Sequence, residues 1–271
     1  MAVPGETPRV TVITVVKNGA RGIAGTIESV LAQTHRPLEH LIVDGGSTDG
    51  TIEVLRAHGD RVRWITEPDR GLYDAMNKGI GLVPDPGRYV IFLNADDSLH
   101  GPDAIAQVFA QSNGEDLLYG RLERLDETDN DRDVIGRAVT SGDLLFGMRC
   151  HHQTILCRRS VFDRIGGFRL EYRVAADYDW VVRAFRSPEI TRRFVPVVVA
   201  TMRRGGLSER NYLEGIRERR RIVLASYSRA DAARFLAYSV YGDYLRWGLQ
   251  RILRPLGLIP LVRKLKRSVG A

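Results

Sequence analysis

Over the first two hundred residues, short runs rich in β-branched side chains alternate with segments whose apolar residues recur at helical spacing. "RVTVITVV" (9–16) reads as a buried strand. Ile23, Ile27, Val30 and Leu31 then fall at helical spacing, and "HLIVD" (40–44) reads as a second strand. "STDGTIEVLRAHG" predicts a helix with Ser47 or Thr48 as its N-cap and Gly59 just past its end. "VRWI" (62–65) is a third strand, Leu72 to Ile80 a helix face, "RYVIFLN" (88–94) a fourth strand, and Pro102 opens a helix carrying Ile105, Val108 and Phe109. Strands separated by helices predict an α/β fold, a mostly parallel sheet flanked by helices. Later segments add a charged hairpin tip at 123–133, strands at 154–157 and 193–202, and helices around "SVFDRIGGF" and "DYDWVVRAF".

Composition narrows the class. Hydrophobic residues make up 44% of 271, the proportion of an ordinary globular chain. No apolar run reaches the ~18 residues of a membrane span, and the first residues lack the pattern of a secretory signal. The two cysteines, Cys150 and Cys157, predict neither a disulfide framework nor a zinc site and fit a cytoplasmic, reduced chain. Charge is uneven: residues 203–271 carry 16 Lys and Arg against 5 Asp and Glu, while residues 1–202 carry 24 against 28. A basic tail on a mildly acidic body points to an anionic surface as the tail's partner. Two parts follow: 1–205, an α/β domain, and 206–271, a basic amphipathic helical tail.

In a parallel sheet, ligands bind beyond the carboxyl ends of the strands. Three such ends carry polar loops: Lys17-Asn18, Asp44-Gly45-Gly46, and Asn94-Ala95-Asp96-Asp97. Adjacent carboxylates repel unless a cation or water lies between them, so Asp96 and Asp97 suggest Mg²⁺ or Mn²⁺; taken alone, "ADDS" reads equally as a solvated turn capping a helix. Asp44 could accept a hydrogen bond from a base N–H, or could simply close a turn. Arg70, Asp74, Asn77 and Lys78 surround a helix start, where a cation can meet phosphate or merely face water.

Together, "TVITVVKNG", "SVLAQTHRPLEHLIVDGGSTDGT", "EPDRGLYDAMNKGI", "FLNADDSL", "CHHQTILCRRSVFDRIGGF" and "AADYDW" resemble the family 2 glycosyltransferases of the GT-A fold over roughly residues 9–202. The resemblance implies a nucleotide-sugar donor (UDP-linked first), a divalent metal, Mn²⁺ or Mg²⁺, and an inverting transfer. It assigns Thr14, Val16, Asn18, Asp44 and Gly45 to the nucleoside. Arg70, Asp74, Asn77, Lys78, Asn94, Ala95 and Asp96 complete the donor site, and Asp96 and Asp97 hold the metal. The family often has Asp where this chain has Asn94. Its catalytic base is usually the Asp of a Glu-Asp pair; here Ala176 replaces the Glu, and the role falls to Asp177. Asp179 is the rival, and His152 is a further candidate for the acceptor or the diphosphate.

The tail places Tyr238, Tyr241, Leu245, Leu249, Ile252 and Leu253 at helical spacing, with Tyr244, Trp247 and a basic cluster at 263–267. Such a helix suits an anionic membrane surface and a lipid-linked acceptor, at the inner face of the cell membrane. Packing on the body or a homodimer are the alternatives. A sugar nucleotidyltransferase is the competing enzyme class, since "KNGARG" follows the first strand. An oxidoreductase lacks the G-x-G-x-x-G signature there. A nucleic-acid-binding protein would use the tail, but the acidic body argues against it. The intact acidic positions argue against a non-catalytic module.

Overall fold

The computed structural model describes residues 7–126, 131–203 and 211–239, together with Gly248 and Arg251. Its first half is a run of βα units: β1 (Val10–Val16), α1 (Ile23–Leu31), β2 (Leu38–Asp44), α2 (Thr51–Ala57), β3 (Arg63–Thr66), α3 (Leu72–Gly81) and β4 (Tyr89–Phe92). There follow β5 (Ser98–Leu99), α4 (Ala104–Phe109), β6 (Leu117–Asp126), β7 (Asp131–Ile135), β8 (Ile155–Arg158), α5 (Arg159–Ile165), α6 (Ala176–Arg186) and β9 (Arg192–Arg203). Two helices close the described chain, α7 (Tyr212–Ser226) and α8 (Arg229–Ser239).

All the strands join one sheet in the order β3-β2-β1-β4-β8-β6-β9-β5, with β7 beside β6. β1 to β4 are mutually parallel, as the alternation predicts. β8 then enters antiparallel to both β4 and β6, whereas β9 runs parallel to β6. The register sets Val16 beside Asp44 and Asp44 beside Thr66, so the carboxyl ends of the first three strands form one rim.

Alternate side chains of β1 enter opposite layers: Val10 and Val12 join one buried cluster, Ile13 and Val15 another. That two-sided burial explains why these strands read as continuous apolar runs. The start of α2 differs from the sequence expectation. Gly50, in the left-handed region at φ 97°, precedes the first turn, and Asp49 Oδ1 accepts from Thr51 N at 3.1 Å. Ser47 is drawn back onto Asp44 instead.

The hairpin expected near 123–133 is the β6–β7 pair, and its tip, 127–130, lies outside the described residues. Ile222 and Val223 of α7 and Ala232 and Phe235 of α8 are buried in the same cluster as the body. Tyr238 packs edge-on against Phe146, ring centroids 5.2 Å apart. Tyr241, Tyr244, Leu245, Trp247, Leu249, Ile252, Leu253 and the basic cluster at 263–267 lie outside the described residues. Among the described residues no helix is long and apolar enough to cross a membrane.

Candidate active site

The loops after β1 and β2 are stitched into one unit. Asn18, at φ 55°, donates its N–H to Ser47 Oγ at 2.8 Å and accepts from Thr48 N at 2.9 Å. Gly19 N donates to Thr51 Oγ1 at 3.0 Å. Asp44 is buried at the centre. It accepts from the N–H groups of Gly46 and Ser47, both at 2.9 Å, from the Thr66 hydroxyl at 2.6 Å, and from the Ser47 hydroxyl. Burial pushes its carboxyl up, but those hydrogen bonds outweigh it and hold the group below the ordinary range. Thr14 is buried too, its hydroxyl 2.9 Å from His40 Nε2. Beside Asp44, Gly45 lies against the Asp69 carboxylate: a Cβ there would stand 2.0 Å from Asp69 Oδ2.

The acidic turn after β4 sits next to this unit. Thr26 of α1 clamps it, its hydroxyl 2.8 Å from the Ala95 carbonyl and 2.7 Å from that of Asp97. Asp96 is exposed and lies over Gly22, where a Cβ would meet Asp96 Oδ1 at 2.1 Å. Asp97 is buried and accepts from Asn94 Nδ2 at 2.9 Å, Gln153 Nε2 at 3.2 Å and Arg203 N at 3.2 Å. Burial raises its carboxyl above the usual value in spite of these donors. Asn94 Oδ1 is buried without a hydrogen-bond donor. An orphaned amide oxygen, an exposed carboxylate and a buried carboxylate on one turn are oxygen donors, the set that a hard divalent cation takes.

Beyond the turn stands a second cluster. Gln153 belongs to the 3₁₀ turn His152–Thr154 that leads into β8. Its neighbour His152 donates from Nδ1 to Asp177 Oδ2 at 2.9 Å. Asp177 Oδ1 accepts from the Tyr73 hydroxyl at 3.0 Å and from Tyr178 N at 2.8 Å. Burial pushes the Asp177 carboxyl up, but the hydrogen bonds from His152, the Tyr178 N–H and the Tyr73 hydroxyl hold it below the usual range. His152 Nε2 is buried and unpartnered. The segment before α6 is fixed from the far end of the chain: Glu218 of α7, almost fully buried, accepts from the N–H groups of Arg173, Val174 and Ala175 at 2.7, 2.9 and 2.8 Å.

The two aspartates of α6 face different ways. Asp179 is buried against Arg183 at 2.8 Å and Arg169 at 3.3 Å, away from His152. Asn77 spends its amide on the backbone of Phe168, donating at 2.7 Å and accepting at 2.8 Å, which ties α3 to the turn after α5. Arg70 pairs with Asp74 at 2.8 Å, and Lys78 with Glu67 at 2.8 Å. The sequence expectation did not single out Tyr73, Gln153 or Glu218. The first two lie inside its quoted motifs, where residue type alone carried no signal; Glu218 sits in a run of arginines that reads as a solvated face.

A parallel sheet with polar loops at its strand ends and an acidic turn is the architecture of the GT-A glycosyltransferases. The structure resembles S. aureus TarS 1-349 in complex with UDP-GlcNAc, with a TM-score of 0.64 at 16% identity over 86% of this chain and 73% of that one. It also resembles the mannosyltransferase PcManGT from Pyrobaculum calidifontis in complex with GDP-Man and Mn²⁺, with a TM-score of 0.61 at 20% identity over 97% of this chain and 84% of that one. The chain belongs to glycosyl transferase family 2, whose model matches residues 11–179, and it is a glycosyltransferase. A relative from Mycobacterium tuberculosis, a PGL/p-HBAD biosynthesis glycosyltransferase, is 37% identical over 209 residues, covering 74% of this chain and 79% of the relative.

Proposed function

We propose that this glycosyltransferase is inverting and metal-dependent. It moves a sugar from a nucleotide-diphospho-sugar, a UDP-sugar in the first instance, to a hydroxyl of a glycan or lipid-linked acceptor in cell-envelope polysaccharide or glycolipid synthesis. One row of contacts carries the reading. Gly22 touches Asp96, Asp97 touches Gln153, and the adjacent His152 touches Asp177, so the donor loops, the acidic turn and the acceptor-side carboxylate are continuous.

The stitched loops 17–19 and 44–51, with Thr14, Val16 and Gly45 at their base, hold the nucleoside. Arg70, just before α3, and Lys78, on it, bring positive charge to the diphosphate side, and Asp74 and Asn77 of the same helix brace it. Asn94, Asp96 and Asp97 would hold Mn²⁺ or Mg²⁺, which when bound neutralises charge on the leaving diphosphate. Asp177 stands on the acceptor side at the position of the family's base, and attack opposite to departure inverts the anomeric centre. A retaining route would need a further carboxylate at the anomeric carbon. The complexes of the structural neighbours with UDP-GlcNAc and with GDP-Man and Mn²⁺ support the donor class and the cation, and the PGL/p-HBAD biosynthesis relative supports a glycolipid product. A lipid-linked acceptor fits a cytoplasmic enzyme held at the membrane surface by the basic tail, 206–271, without nucleic acid, as a monomer or a homodimer.

Thermal shifts with UDP, GDP, dTDP and their sugar conjugates, with and without Mn²⁺, test this. The expected result is stabilisation by one nucleotide family, deepened by Mn²⁺. No shift with any of them would remove the donor assignment.

A further inference from the structure

We infer that His152, not Asp177, is the group that takes the proton from the acceptor hydroxyl, and that Asp177 and Tyr73 are its positioning residues. This rests on the transfer reaction proposed above and assigns a different atom to its proton.

The tautomer follows from the partners. Asp177 is a carboxylate and its oxygen accepts, so the His152 nitrogen 2.9 Å from it carries the hydrogen. In the neutral ring Nε2 is then a bare lone pair. That atom is buried with no donor, a state that costs about 1–3 kcal/mol unless something supplies the missing hydrogen. A substrate hydroxyl is the missing donor. Asp177 is by contrast well satisfied, with the Tyr73 hydroxyl and Tyr178 N on one oxygen and His152 on the other. Tyr73 is itself fastened, lying 2.8 Å from the Val174 carbonyl. The neighbouring residue Gln153 reaches Asp97, which sets the imidazole one residue from the acidic turn.

The step balances. The acceptor oxygen forms its bond to the anomeric carbon as its proton passes to His152 Nε2. The bond from that carbon to the diphosphate oxygen breaks, and its electron pair leaves with the nucleoside diphosphate. Asp177 stays ionised and stabilises the imidazolium, which later returns the proton to water. A ring held this way contributes ~10²–10⁴-fold as a general base. Ligation of the metal by Nε2 is the rival use of the same lone pair. Asp97 turns Oδ2 toward the amides of Gln153 and Asn94, which favours the proton role.

The test compares the full-length wild type with His152→Ala and the near-isosteric His152→Gln. The probes are UDP-glucose, UDP-N-acetylglucosamine and GDP-mannose with Mn²⁺, and water and octyl glucoside serve as acceptors. Nucleoside diphosphate release and the donor-induced melting shift are both read. Both variants should lose ~10²–10⁴-fold in kcat and keep the donor-induced shift and its Mn²⁺ dependence. Added imidazole should restore turnover to His152→Ala but not to His152→Gln, whose side chain fills the space. Near-wild-type turnover in His152→Gln would overturn the proposal. So would a His152→Ala defect that imidazole leaves unchanged and that appears as weakened Mn²⁺ dependence. A wild type that neither binds nor cleaves any of these donors would instead count against the transfer reaction itself.

Discussion

Asp44 receives hydrogen bonds from residues 2, 3 and 22 positions away in the chain. Asp177 receives one from its neighbour, but the others come from Tyr73 and His152, 104 and 25 positions away. The proposed donor side combines local turns around Asp44 with bonds between the neighbouring loops after β1 and β2. The acceptor side is assembled from α3, the turn before β8, α6 and α7, and has no local reason to form. Binding can therefore survive damage that abolishes transfer, and the two sides should separate under mutation.

Asp177→Asn is expected to have the largest effect. An amide at this position offers N–H where His152 needs an acceptor, so kcat should fall ~10²–10⁴-fold while the donor KM holds. Asp44→Asn should do the reverse, raising KM with little change in kcat, because it loosens the loop proposed to hold the nucleoside. Steady-state kinetics on the two variants reads the split directly. Equal losses in kcat from both would dissolve the distinction between the sides.

Glu218→Ala comes next. It removes three hydrogen bonds to the segment before α6, at roughly 1 kcal/mol each, or about 3 kcal/mol together. Urea unfolding should show that loss, and transfer should fall while the donor-induced melting shift stays. A variant of unchanged stability would mean that α7 does not brace the acceptor side. Glu218→Gln keeps an acceptor oxygen and should lie between the two.

The same contrast explains what could be read in advance. β1 to β4 and their helices were legible because both faces of the sheet are covered, which forces apolar runs at strand spacing. Asp96 and Asp97 stand out as adjacent carboxylates at a strand end, whereas Asp177 is singled out only through the resemblance to the family's Glu-Asp pair. Ser47 or Thr48 was expected as an N-cap, and the pattern was misleading there: the buried Asp44 carboxylate competes for Ser47 and wins, leaving Asp49 to serve the start of α2. The antiparallel entry of β8, the bracing by Glu218 and the opposite facing of Asp177 and Asp179 depend on tertiary partners, which no local pattern encodes. The sequence left Asp179 as a rival; its burial against two arginines shows a structural ion pair.

The smallest effect concerns acid stability and tests whether the donor side is the more pH-sensitive. His40 of β2 is buried with Nε2 2.9 Å from the Thr14 hydroxyl, and burial pushes its pKa down to about 3. Burial also lowers His35, beside Pro8 at the amino end of β1, and His151 on the acceptor side, the latter to about 4. An unfolded histidine titrates near 6.5. As pH falls from about 6.5 toward 3 the unfolded chain takes up protons that the folded chain refuses, so stability is full above that window and declines through it. Each such histidine contributes about 1.4 kcal/mol per pH unit. His40→Gln should lower stability at neutral pH by removing a fitted ring, yet flatten the decline by about one histidine's share. The difference in urea midpoints between His40→Gln and the wild type from about pH 7 to about pH 5, above the range where unfolded carboxyls take up protons, isolates that slope, because Asp97 and the other titrating groups are common to both. An acid limb as steep in the variant as in the wild type would place the proton uptake elsewhere, with His151 and the acceptor side the first to examine.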